Sequence, residues 1–120
     1  MAIANDIQRH GSNARYSKAV VHNGVAYLAG QVAAETIPSA AEQTRLILKQ
    51  IDSWLQKCGT DKTRLLTATV VFSDLRDFDA VNEVWDAWVA PGCQPTRTPI
   101  QSKLITPQHL VAIQVSAALP

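Results

Sequence analysis

The segment from Pro38 to Gly59, PSAAEQTRLILKQIDSWLQKCG, constrains the fold more than any other stretch of the chain. Proline followed by a Ser39-x-x-Glu42 capping box opens a helix, and Gly59 closes it. Between those stops Ile47, Ile51, Trp54, Leu55 and Cys58 recur at the three-and-four spacing of a single face. A long helix that is apolar on one side needs a partner surface, and the rest of the sequence is mostly β-rich. A layer of helix on sheet is the economical solution.

The β-rich runs have their own punctuation. KAVVHNGVAYLAGQVA (18–33) reads as two apolar strands joined at Asn23-Gly24, a pair that tolerates the positive φ angles of a type I′ hairpin turn. RLLTATVVFSDL (64–75) is dense in Leu, Thr and Val and long enough for a central strand. RDFDAVNEVWDAWVA then carries Phe78, Val81, Trp85, Trp88 and Val89 on one helical stripe, with Pro91-Gly92 as the stop. TPIQSKLI and LVAIQVSAAL, around a TPQH connector, supply two last strands. The expected order is β-β-α-β-α-β-β in one domain, residues 1–120, without linkers or repeats.

Right-handed crossovers place both helices on one face of a mixed α+β sheet. In the last strand Val111, Ile113, Val115 and Ala117 form the apolar side, leaving Ala112, Gln114, Ser116 and Ala118 on the other. That second face is small and mildly polar rather than charged, so packing against another copy of the chain is the expected cover.

Composition narrows the function classes. A chain of 120 residues with 47% hydrophobic and 18% charged content is ordinary for a globular domain, and its net charge of +1 creates no field to attract nucleic acid or an anionic membrane. No apolar run approaches a membrane span, and MAIANDIQRH lacks the pattern of a secretory leader, so the expected compartment is the reducing cytoplasm, with Cys58 and Cys93 as free thiols. His10, His22 and His109 are dispersed, without metal-ligand spacing, and no Walker loop, G-x-G-x-x-G or G-x-S-x-G is present. No metal and no organic cofactor is expected.

Arg97 stands out in PTRTPIQSKL (95–104), where Pro95 and Pro99 stiffen the backbone on either side. A rigid mount suits a guanidinium that presents its fork to a carboxylate, and equally suits a salt bridge at a surface or between subunits. Asn82 lies beside the apolar stripe of the second helix, where it must find partners: a neighbouring loop, or a site.

YSKAVVHNGVAYLAGQVA, the long run from Glu42 to Val89 and PTRTPIQSKL together resemble the Rid family, the YjgF-type, RidA-like reactive-intermediate deaminases, from about Tyr16 to Leu119. Trp85-Asp-Ala-Trp88 is most similar to the YoaB-like branch. The resemblance implies a chorismate-mutase-like fold, a homotrimer with ligand clefts between subunits, and cofactor-free hydrolysis of small imine or enamine carboxylates such as 2-aminoacrylate. It implies that Arg97 clamps the substrate carboxylate, that Tyr16 closes the cleft, and that Gly30, following Ala29 in the ligand-binding segment, brings backbone to the ligand where a Cβ would intrude. Asn82 and Trp85 would line the cleft. Each also has a plain structural alternative: an interface aromatic for Tyr16, a β-bulge for Gly30, core packing for Trp85 and Trp88.

Two departures from the family pattern bear on mechanism. Pro99 replaces a cysteine two residues after the arginine, and Ala112 replaces the glutamate that would hold the attacking water. A methyl group neither accepts a proton nor orients water. Gln114 shares a strand face with Ala112 and is the candidate to position water; His109, just before that strand, is a candidate base or an exposed loop residue. The expectations are therefore an imine deaminase with an atypical site, with Arg97 and Gln114 as its catalytic residues, or a non-catalytic carboxylate-binding or accessory trimer. Endoribonuclease activity, attributed to some relatives, finds no basic cluster or aromatic platform here.

Overall fold

In the computed structural model, residues 6–120 are described; residues 1–5, the start of the segment read above for a leader, lie outside the described residues. The first hairpin forms where Asn23-Gly24 placed it. Strand β2 (Ala19–His22) turns through Asn23 at φ 50° and Gly24 at φ 77° into β3 (Val25–Leu28), with His22 opposite Val25. A short strand β1 (Gln8–His10) pairs antiparallel with β2, and a two-residue strand β4 (Gln31–Val32) continues β3. Neither was separately legible in the sequence.

Helix α1 (Ala40–Lys57) starts at Ser39, whose side chain accepts from the Glu42 amide at 3.2 Å. The reciprocal arm of the capping box is absent: the Glu42 carboxylate pairs with Arg45, and the Ser39 amide donates to the Ile37 carbonyl at 2.7 Å. Ile47, Ile51 and Leu55 are fully buried as the periodicity required, with Gln43, Thr44 and Leu48 beside them, while Trp54 and Cys58 sit at the margin. The buried Gln43 is satisfied three times over, donating to the Ile37 and Gln108 carbonyls and accepting from the Leu110 amide. It ties the two loops at that end of the sheet to the helix.

Strand β5 (Leu65–Phe72), helix α2 (Phe78–Trp88) and strand β6 (Thr96–Gln101) form a parallel crossover, β5 and β6 pairing from Thr67/Thr96 to Phe72/Gln101. The last two strands were expected at TPIQSKLI and LVAIQVSAAL. The second is found as β7 (Val111–Ala118), but the first starts two residues earlier and stops at Gln101, because its partner β5 ends at Phe72. Arg97 is thereby inside the strand rather than at its entrance. Pro99, which donates no backbone hydrogen bond, is tolerated because β6 is an edge strand.

The sheet order is β1-β2-β3-β7-β5-β6, with β4 alongside β7 on the β3 side. Both helices pack on one face and on each other, over Val70 and Phe72 of β5 and Val111, Ile113, Val115 and Ala117 of β7. The opposite face carries Val20, Tyr27, Thr67, Thr69, Val71, Thr98, Ile100, Ala112 and Gln114, and no helix among the described residues covers it. This bare face is the one anticipated from strand alternation. The architecture is α+β: a mixed sheet with two helices on one side. No helix among the described residues is long and apolar enough to cross a membrane.

Candidate functional site

Arg97 sits opposite Ala68 of β5, whose side chain is buried beneath the helices, so the guanidinium rises on the helix side of the sheet. There it meets α2. Nη2 donates to Asn82 Oδ1 at 2.6 Å, and the guanidinium carbon lies 5.2 Å from the centre of the Trp85 ring. Asn82 and Trp85 are three apart on one helical face and reach the same side chain. The amide that had to find partners has found the arginine. Trp85 is at once core, at 4% exposure, and the platform for a cation.

The electrostatics of this arginine are unusual. Its Nε is buried without a hydrogen-bond partner, and among the described residues no carboxylate lies within ion-pair distance. Burial pushes the guanidinium below the ordinary arginine range, and Asp86, acting through space, opposes that shift. Asn82 offers one neutral acceptor and Trp85 a π face. A cation so placed has donors left over for an anion.

The remaining candidates gather elsewhere. Tyr16 lies in the turn before β2, at the opposite edge of the sheet, four strand spacings or about 19 Å from β6. The loop that carries it is built rather than loose: Asn13 Oδ1 accepts from the Arg15 and Tyr16 amides at 2.7 and 3.0 Å, and Lys18 Nζ donates to the Tyr16 hydroxyl at 3.2 Å. At its base Gly11 adopts φ 62°, and a Cβ there would stand 2.7 Å from Trp54. Asn13 was not singled out in the sequence, although a Gly-Ser-Asn run before an aromatic is a turn signal.

Ala29 and Gly30 connect β3 to β4. Tyr27 pairs with Ser116 and Gln31 with Ile113, so four residues advance on one side against three on β7, and the extra one makes a bulge. Gly30 was expected where a Cβ would intrude; within one chain a Cβ there meets nothing within 4 Å, and its φ is not in the left-handed region. The space in front of this backbone is open. The Ala29 amide donates to the Lys18 carbonyl at 2.9 Å, which fastens the bulge to the Tyr16 loop.

Gln114 does share a face with Ala112, as alternation required, but it is the bare face. Gln114 pairs with Thr69 while Arg97 pairs with Ala68, so the two supposed catalytic side chains leave opposite sides of the sheet. One chain does not bring them together. His109 occupies the turn before β7, its Nδ1 bonded to Thr106 Oγ1 at 2.8 Å. Burial raises the Cys58 thiol above its usual range.

The candidate residues thus fall in separate places on the chain. Arg97, Asn82 and Trp85 lie together under α2 at the β6 edge. Away from it, Tyr16 is linked through Lys18 to the Ala29-Gly30 bulge, and Gln114 stands on the bare face of β7.

The family model described as Endoribonuclease L-PSP matches residues 7–119. The chain is 41% identical over 113 residues to the RutC family protein YoaB of Escherichia coli strain K12, covering 94% of this chain and 98% of the relative. A more distant relative, the 2-iminobutanoate/2-iminopropanoate deaminase of Rattus norvegicus, is 28% identical over 108 residues, covering 85% and 78%. Among solved structures, that of NMB1025 from Neisseria meningitidis, a member of the YjgF protein family, superposes with a TM-score of 0.93 at 42% identity over 96% of each chain. With a family match along nearly its whole length and this fold, the chain belongs to the YjgF/RutC family, whose member YoaB it resembles along almost the full length of both chains.

Proposed function

We propose that the chain is a cofactor-free hydrolase of small 2-imino carboxylates, working in clefts between the subunits of a homotrimer. The observation that carries this reading is the partly buried Arg97 guanidinium, held by Asn82 and Trp85, with a buried, unpartnered Nε and no carboxylate of its own. A desolvated arginine fork with spare donors is complementary to a carboxylate, and holding one there fixes the adjacent imine carbon.

The strand order supplies the second part of the reading. The arginine cluster and the remaining candidate residues lie apart on one sheet, so they meet when one copy sets its α2–β6 edge against the bare face of the next. Such a head-to-tail contact closes into a ring when the rotation permits, and a ring of three is what the family resemblance implies. Tyr16, the open backbone at Ala29 and Gly30, and Gln114 would then face the partner's arginine.

The reaction adds water to the electrophilic C=N carbon, moves a proton to nitrogen, and breaks the C–N bond to release ammonia and a 2-oxo acid. Arg97 neutralises the carboxylate, and Gln114 orients water without deprotonating it. A protonated imine is electrophilic enough that positioning yields modest acceleration in the absence of a glutamate at position 112. The rat relative named as a 2-iminobutanoate/2-iminopropanoate deaminase supports the reaction class. Ala112 favours the alternative in which the cleft binds a carboxylate without turning it over.

Ammonia release from freshly generated 2-iminopropanoate, compared between the native chain, Arg97→Ala and Ala112→Glu, separates these readings. Turnover above the solvent rate that is lost in Arg97→Ala supports the hydrolase. An idle native chain awakened by Ala112→Glu supports the binding protein. A nuclease reading would require salt-sensitive RNA binding, which a chain of net charge +1 gives little reason to expect.

A further inference from the structure

Farther along the same face of β6, past Arg97, lies a second recess. Helix α2 lies over β6, so Phe78 and Asn82, four residues apart on the helix, advance about 6 Å, while Arg97 and Pro99, on one face of the strand, advance about 6.6 Å. The place marked by Asn82, Trp85 and Arg97 is polar and cationic. The second recess is a groove of about 590 Å³ lined by Leu75, Phe78, Asp79, Pro99 and Gln101.

This recess is apolar where it need not be. Leu75 is 50% exposed and Phe78 36% exposed. Phe78 is fixed from behind by the Phe72 ring at 5.4 Å, and the Leu75 amide donates to Gln101 Oε1 at 2.8 Å, which pins the groove wall to β6. Pro99 adds a rigid apolar floor. The only charge among these lining residues is the exposed carboxylate of Asp79.

We infer that this groove receives the substrate's side chain, and that the preferred ligands are 2-imino acids with a branched aliphatic or aromatic side chain rather than a methyl group or a second carboxylate. The inference rests on Arg97 binding the carboxylate, as proposed above. With carbon–carbon bonds of about 1.5 Å, a carboxylate carbon and the end of a leucine-type side chain are separated by roughly 5 Å, close to the advance from Arg97 to Pro99 along β6. The methyl of 2-iminopropanoate stops short of Pro99 and Phe78. Asp79 repels a distal carboxylate, so ligands derived from acidic amino acids are disfavoured.

Calorimetric titration of the assembled protein with three stable 2-oxo acids tests this without requiring turnover: pyruvate, 4-methyl-2-oxopentanoate and 2-oxoglutarate. The expected order has 4-methyl-2-oxopentanoate binding at least about tenfold more tightly than pyruvate, the discrimination an apolar pocket gives for added methylenes. 2-Oxoglutarate binds most weakly. Phe78→Ala reduces the preference for the longer aliphatic acid to about threefold or less, and Asp79→Lys raises the affinity for 2-oxoglutarate above that for pyruvate, a gain that a misfolded variant does not produce. Pyruvate binding as tightly as 4-methyl-2-oxopentanoate, or an Asp79→Lys variant that still rejects 2-oxoglutarate, overturns the inference. The Arg97 reading is reported separately: Arg97→Ala that leaves all three affinities intact, or no binding of any of the three acids to the native protein, overturns that reading and this inference with it.

Discussion

Replacing Arg97 with methionine separates a binding arginine from a structural one. Methionine keeps an unbranched stem of similar length against Trp85 and removes the guanidinium. Three contributions change. The bond to Asn82, a charged donor to a neutral acceptor, is lost at about 1.5–3 kcal/mol, and the contact with the Trp85 face at about 0.5–2 kcal/mol. Against these, the buried Nε with no partner ceases to be desolvated, which returns about 1–3 kcal/mol. The terms largely offset, and Asn82, partly exposed, regains water as a partner. Net destabilisation is about 1 kcal/mol, a fall in Tm of about 4 °C for a domain of this size. An arginine locked in a buried ion pair would instead take about 3–5 kcal/mol with it when removed. Carboxylate binding responds differently: losing two charge-assisted hydrogen bonds weakens it by about 3 kcal/mol or more, over a hundredfold in Kd. Urea unfolding at a fixed protomer concentration gives the first quantity and calorimetry with 4-methyl-2-oxopentanoate the second. A loss of 3 kcal/mol or more in stability, together with a Kd within about threefold of the native value, would refute the reasoning, because Arg97 would then serve the fold and not the ligand.

Gly11→Ala places a Cβ at φ 62° and 2.7 Å from Trp54, so destabilisation of about 2–4 kcal/mol is expected, with loss of order in the Tyr16 loop visible as faster amide exchange at residues 12–17. Burial lowers the Arg97 pKa relative to the unfolded chain, so its charged form is penalised at every pH below the folded value, and that penalty is relieved only as pH rises through it toward the unfolded one. That window is strongly alkaline: carboxylate binding therefore stays flat between about pH 6 and 9, and a midpoint inside that range, followed by calorimetry, would implicate a different cation.

Much of the fold was legible because local chemistry and global need agree. Asn23-Gly24 sets its own turn, Ser39 its own cap, and the alternation in β7 separates a buried face from a bare one. The short strand Gln8–His10 carries no apolar alternation, so nothing in its sequence announces a strand; it exists because β2 offers an edge. The boundary of β6 was misplaced for a related reason, since its length is dictated by β5 and not by its own residues. At the site, the rigid proline setting singled out Arg97 and helical spacing set Asn82 beside the stripe that carries Trp85, but only the family resemblance implied that the three line one cleft. Whether Arg97 and Gln114 face each other could not, because that depends on the parallel register of β6 with β5 and the antiparallel register of β7, and a shift of one residue reverses the answer. The groove beside Pro99 went unseen because Phe78 reads as part of the apolar stripe of α2 and Leu75 as the end of the preceding strand until the helix is laid over β6.

The division of the site between copies is the claim on which the account turns, and subunit mixing tests it. Arg97→Ala and Tyr16→Ala, each inactive alone in imine hydrolysis, are combined in equal amounts, dissociated and reassembled. If each cleft takes its arginine from one copy and its tyrosine from another, about a quarter of the clefts in a randomly mixed ring are intact, and about a quarter of native activity returns. If both residues belong to the same copy, every cleft in every mixed ring carries one lesion and no activity returns, which contradicts the account.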